Sequence, residues 1–142
     1  MNPASKKLLQ LFTDGACRGN PGPGAAGAVL LGENDEILHE WHRFLGHCTN
    51  NIAEYEALIL GITNCLEKGY TRLAICLDSE LLVRQITGQY RVKNPHLQRL
   101  MASLRALLAG LEYYEIRHVP RSLNHRADGL ANLALDNFSQ IR

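Results

Sequence analysis

The sequence predicts an α/β domain on a five-stranded mixed sheet, three antiparallel strands followed by two parallel ones, flanked by helices. Three observations carry that prediction. Between Leu8 and Leu45, three apolar runs are separated by short stretches rich in Gly, Pro and acidic residues, as a meander requires. From Asn51 onward the apolar spacing becomes helical, and helices alternate with two further short apolar runs. Strands reached through helices run parallel to the first strand. A chain of 142 residues is read as one domain, residues 1–142, long enough to bury a proper core, with 1–7 and 139–142 as loose ends.

In chain order, Leu8–Thr13 is the first strand. Gly15–Gly24 holds four glycines and two prolines and reads as a loop. Ala25–Leu31, apolar with small residues, is the second strand. Gly32-Glu33-Asn34-Asp35 is a turn, and Glu36–Leu45 is the third strand. Asn51–Lys68 places Ile52, Tyr55, Ile59, Ile62 and Leu66 on one helical face, and Gly69 stops it. Leu73–Leu77 is the fourth strand. Ser79–Thr87 is a short helix closed by Gly88. Pro95–Ala109 is a helix with Leu97, Leu100, Leu104 and Leu108 aligned and Gly110 after it. Tyr113–Val119 is the fifth strand. Asn124–Ser139 is the last helix, with Ala127, Leu130, Ala134 and Phe138 on one face.

Composition removes several classes. With 46% apolar and 20% charged residues, the chain is neither a disordered tail, a collagen-like fibre nor a coiled coil. No run approaches the roughly 18 apolar residues a membrane span needs. Met1–Lys7 lacks an apolar signal core, so secretion is not expected. Cys17, Cys48, Cys65 and Cys76 form no Cys-x-x-Cys pair, which argues against structural zinc and for a reduced, cytoplasmic setting. A net charge of +1 gives no bulk case for a polyanionic partner. The distribution does: Leu81–Leu111 has no acid but carries Arg84, Arg91, Lys93, Arg99 and Arg105.

Strand direction then gathers the acids. If the first strand runs up, it ends at Asp14. The helix from Asn51 starts at the top with Glu54, the fourth strand ends at the top at Asp78, and the last helix starts there with Asp128. Each acid has a bland reading. Asp14 before Gly15 suits a turn, and Glu54 completes a capping box with Asn51. Asp78-Ser79 suits a helix cap, and Asp128 suits a helix N-terminus. All four on one rim is another matter. Clustered carboxylates raise each other's pKa values, and a divalent cation relieves the repulsion. Ligation by carboxylates alone favours Mg²⁺ or Mn²⁺, and two such ions are the machinery of phosphodiester cleavage. The rim is also where open α/β sheets place their sites.

Four motifs occur in order: Thr13–Gly24 (TDGACRGNPGPG), Thr49–Leu58 (TNNIAEYEAL), Asp78-Ser79, and His118–Asn132 (HVPRSLNHRADGLAN). Together they resemble type 1 ribonuclease H, in particular its compact archaeal and bacterial branch, over Leu8–Phe138. The resemblance implies a ribonuclease H-like fold and Mg²⁺-dependent hydrolysis of the RNA strand of an RNA/DNA hybrid, leaving 3′-hydroxyl and 5′-phosphate ends. It puts the metal ligands at Asp14, Glu54, Asp78 and Asp128. It makes Asn20, Asn50 and Asn51 hybrid contacts, Thr49 a DNA-phosphate contact and Asn124 a substrate contact. Amides suit RNA recognition, because a 2′-hydroxyl both donates and accepts. A hydroxyl beside free helix N–H groups suits a phosphate. The default readings are a turn residue for Asn20, a helix cap for Asn51 and a loop threonine for Thr49.

The sequence departs from the family at the mobile histidine before the last acid. That loop is only Pro120-Arg121-Ser122-Leu123 here. His118 reads as a strand residue, and Arg121 and His125 are the two candidates for proton transfer or product release. Arg91 and Lys93, on the Gly88–Asn94 connection, stand where longer members carry a basic handle and are candidates for backbone phosphates. Trp41, alternating with His39 and Arg43, has two readings, hybrid-facing or core. Gly22-Pro23-Gly24-Ala25-Ala26-Gly27 spells G-x-G-x-x-G but leads into a strand, so it is read as bends and as room for nucleic acid rather than a dinucleotide site. No segment resembles a hybrid-binding domain. A monomer acting on RNA/DNA hybrids, with double-stranded RNA as a second substrate, is the expectation. The rivals are a DNA-acting transposase or integrase core, which usually has three acids, and a non-catalytic binding module, for which four uncompensated acids would only repel a polyanion.

Overall fold

The computed structural model describes residues 7–141, with side chains as far as Phe138. Five strands form one sheet in the order β3-β2-β1-β4-β5. The first three are β1 (Leu9–Cys17), β2 (Gly22–Leu31) and β3 (Ile37–Cys48), which pair antiparallel. β4 (Arg72–Leu77) and β5 (Tyr113–His118) extend the sheet in parallel from β1. The helices are α1 (Asn50–Glu67), α2 (Glu80–Ile86), α3 (Pro95–Ala109) and α4 (His125–Ile141). This is the predicted architecture, three antiparallel strands and then two parallel ones.

The boundaries differ where backbone pairing overrides composition. The Gly/Pro stretch is not a loop: Asp14, Gly15, Ala16 and Cys17 pair with Gly27, Ala26, Ala25 and Gly24. Only residues 18–21 turn the hairpin. Glycine leaves the ladder's backbone groups intact, so composition misjudged this region. β3 continues past Leu45 to Cys48 and runs almost directly into α1. The N-cap of α1 is Thr49, whose Oγ1 accepts from the Ile52 amide at 3.2 Å. The capping box on Asn51 and Glu54 is therefore not formed, and Glu54 lies beyond the first turn. Ser79 caps α2 in the same way, through the Leu82 amide. A short 3-10 turn, Arg121–Leu123, precedes α4.

Alternation on β1 divides the sheet into two faces. Leu9 and Leu11 point to the main core with Ala28, Leu30, Leu73 and Ile75, and α1 and α3 cover that face through Leu58, Ile62, Leu104 and Leu108. Full burial of each such side chain contributes roughly 1.5–3 kcal/mol. Trp41 joins this core from its edge and stacks on His39 at 5.4 Å, so its core reading holds. On the other face lies α4, with Ala131, Ala134 and Leu135 against Ala25 and Phe138 stacked on Phe44.

Candidate active site

The register of two parallel strands sets the first pair of acids. The β1/β4 ladder ends at Phe12 opposite Cys76. Asp14 and Asp78 each stand two residues further on, so alternation brings both to the same face at the same height. Glu54 arrives from α1 and Asp128 from the first turn of α4. Two glycines allow the approach. A Cβ on Gly15 would strike the backbone of Ala53 and Glu54, and one on Gly27, the ladder partner of Asp14, would strike the backbone of Ala127 and Ala131. The room at Gly27 is therefore taken by α4 and not by nucleic acid, contrary to the sequence reading.

One carboxylate oxygen from each of Asp14, Glu54 and Asp78 lies within 4.8 Å of the others. Asp128 stands outside that trio but close enough to Asp14 to raise it. Burial, then the Asp78 charge, then Asp128 and Glu54, push Asp14 up to about 9. Burial and the Asp78 charge push Glu54 up to about 7, partly offset by a hydrogen bond from Ser79 and the Arg121 charge. An all-oxygen cluster this crowded fits hard divalent cations, whose charge would remove the repulsion. Sequence reasoning missed Ser79 as a partner of Glu54, because its capping role accounted for it.

Asp14, Glu54 and Asp78 line a small cleft with Thr13, Leu77, Ser79 and Leu82. The larger hollows lie elsewhere. One of about 410 Å³ sits between α2 and α3, lined by Gln85, Tyr90, Arg91 and Arg105 among others. A cleft this small has no room for an enclosed small molecule, and the larger groove on α2 and α3 is lined by cations.

A family model described as reverse transcriptase-like matches residues 12–134. A ribonuclease H of Bradyrhizobium diazoefficiens is 35% identical over 140 residues, covering 87% of each chain. The chain belongs to the ribonuclease H family. A ribonuclease HI of Halobacterium salinarum is 43% identical over 91% of this chain, which spans 65% of that protein's length. The crystal structure of an RNase H1 from the same archaeon superposes with a TM-score of 0.89 at 41% identity, covering 92% of this chain and 99% of that one. LC11-RNase H1, crystallised in complex with an RNA/DNA hybrid, gives 0.86 at 38% identity, covering 91% and 97%.

The other residues expected from the sequence to meet substrate divide by geometry. Asn20, Asn50 and Thr49 cluster at the start of α1: the Asn20 Oδ1 accepts from the Asn50 amide at 3.1 Å, and Thr49 caps the helix. Asn51 is half-buried, and its Oδ1 has no hydrogen-bond partner among the described residues. Arg91 lines the basic groove and Lys93 is exposed beside it. Arg121 is exposed, and its charge reaches Glu54. His125 lines a separate groove with Phe12, Val29 and Leu31, its Nδ1 3.1 Å from the Ser122 carbonyl. Asn124 is not on the substrate surface at all: it is 1% exposed, under the acids. Burial of that kind leaves no signal in the local sequence.

Proposed function

We propose that this chain is an endonuclease that hydrolyses the RNA strand of RNA/DNA hybrids, leaving 3′-hydroxyl and 5′-phosphate ends. The observation that carries the reading is the meeting of Asp14, Glu54 and Asp78 within 4.8 Å, with Asp128 close enough to raise Asp14. These four would hold two Mg²⁺ ions, with Mn²⁺ as a substitute. Bound there, the ions supply water activation and charge stabilisation at the scissile phosphate. Thr49, Asn20, Asn50 and Asn51 would meet the hybrid beside the acids, and Arg91 and Lys93 would meet backbone phosphates. Arg121 is the better candidate for the group beside the phosphate, because its charge reaches Glu54 whereas His125 lines another groove. A monomer working in a reducing cytoplasm is part of the same proposal.

Purified protein incubated with labelled RNA/DNA hybrid, double-stranded RNA and DNA duplex, with and without Mg²⁺, tests it. Cleavage confined to RNA-containing duplexes and dependent on the ion is the expected result. Cutting of the double-stranded RNA would add the second substrate. Cutting of the DNA duplex alone would favour a transposase-like core, and binding without cleavage a non-catalytic module. The Asp14→Asn variant should keep its circular dichroism spectrum and lose at least about three orders of magnitude in turnover, an order-of-magnitude expectation for loss of essential metal-site chemistry.

A further inference from the structure

We propose that Asn124 is a positioning residue for metal binding: one buried amide fixes the carboxylate of Asp78 and the strand end that carries Asp14. The inference rests on the nuclease reading above and replaces the expected substrate contact at this residue.

Both hydrogens of the Asn124 Nδ2 are engaged. One bond goes to Asp78 Oδ2 at 3.0 Å and the other to the Thr13 carbonyl, one residue before Asp14, at 2.9 Å. The backbone of the same residue opens α4. Its carbonyl accepts from the Asp128 amide at 3.1 Å, and its own amide donates to the Arg121 carbonyl at 2.9 Å. A single side chain thus links β1, β4 and the start of α4, the elements that bear three of the four acids.

The chemistry narrows what can stand there. Holding Oδ2 fixes the rotation of the Asp78 carboxylate and the direction of its remaining lone pairs. A lysine could donate as well, but its charge would neutralise the cluster and compete with a cation. An aspartate would add a further negative charge and lose the donors. A serine has one hydrogen where two are needed. The Asn124 Oδ1 is buried with no hydrogen-bond partner among the described residues. An amide with its oxygen unmatched is a poor choice for stability alone. Its two donors explain its presence. Groups that orient a ligating side chain in this way typically change metal affinity by about 10–100-fold when lost.

The test compares wild type with Asn124→Ala and Asn124→Ser. Mn²⁺ binding is read directly by electron paramagnetic resonance of the free ion, alongside thermal unfolding and hybrid kinetics. Both variants should bind Mn²⁺ about 10–100-fold more weakly. Turnover should fall at fixed metal and recover in part as metal is raised, with KM for the hybrid within about two-fold because the residue is out of reach of substrate. Serine, keeping one donor, should fall between alanine and wild type. Unchanged Mn²⁺ affinity with raised KM would restore the substrate-contact role and overturn the proposal. Unchanged Mn²⁺ affinity with only a lower melting temperature would reduce Asn124 to a structural residue. If alanine does not fold, serine below its melting temperature gives the same comparison. Failure of wild type to bind Mn²⁺ would overturn this inference together with the nuclease reading, whereas undiminished binding by the variants overturns this inference alone.

Discussion

Asp14 sits where burial and three neighbouring carboxyl groups all favour its protonated form, which pushes it up to about 9. Glu54 follows to about 7. An unfolded chain would hold both near the ordinary carboxylate value of about 4. Between those limits the folded, metal-free protein binds more protons than the unfolded one, so its stability falls as pH rises. Melting temperature measured in a chelator should therefore decline from pH 5 to pH 9, settings that lie within the window of about 4 to about 9. Asp14→Asn should flatten the decline and melt higher than wild type at the alkaline end. Added Mg²⁺ or Mn²⁺ should restore the wild-type melting temperature there and leave the variant nearly unmoved. Melting temperatures that rise with pH in chelator would contradict this picture of the cluster.

At the scale of elements, the site depends on helices coming unusually close to strands. Gly15 touches the backbone of α1 and Gly27 that of α4, and neither obstacle is a flexible side-chain tip. Gly15→Ala should lose about 3 kcal/mol in urea unfolding, the upper end of the usual cost of overpacking. It should also lose activity beyond what stability explains, because the shift of α1 moves Glu54. Gly46 and Gly88 provide a contrast, since a Cβ there meets nothing within 4 Å, although each has positive φ. Gly88→Ala should therefore cost only about 1 kcal/mol through backbone strain, leaving hybrid cleavage intact. Equal losses at Gly15 and Gly88 would refute the packing account.

Across the whole molecule, a net charge of +1 conceals two opposite fields, the acids in one cleft and the cations of the α2–α3 region beside it. Not every cation there is free to meet phosphate. Arg84 is paired with Glu80 at 2.7 Å, and Arg105 donates to the Ile86 carbonyl. Arg91 and Lys93 are the phosphate contacts we propose. Replacing either by alanine should weaken hybrid binding and reduce the slope of log affinity against log salt by about 1, with kcat preserved at saturation. Arg84→Ala should leave that slope unchanged. Equilibrium binding in Ca²⁺ over a salt series checks both statements.

Periodicity and turn chemistry are local, and they determined much on their own: the element order, the mixed sheet, the crossover to helices and the meeting of Asp14, Glu54 and Asp78. What they left open, including how near Asp128 comes to the trio of Asp14, Glu54 and Asp78, depended on distant chain. Whether Gly15–Gly24 is loop or ladder turns on the partners that β1 and β2 offer each other, and glycine composition is silent about partners. Whether Asn51 or Thr49 caps α1 turns on where β3 stops. Only the packed structure put Asn124 beneath Asp78, 46 residues away in sequence, and sent Gly27 against α4. Burial and close approach are properties of pairs of segments, and a residue read in its own neighbourhood carries no trace of them.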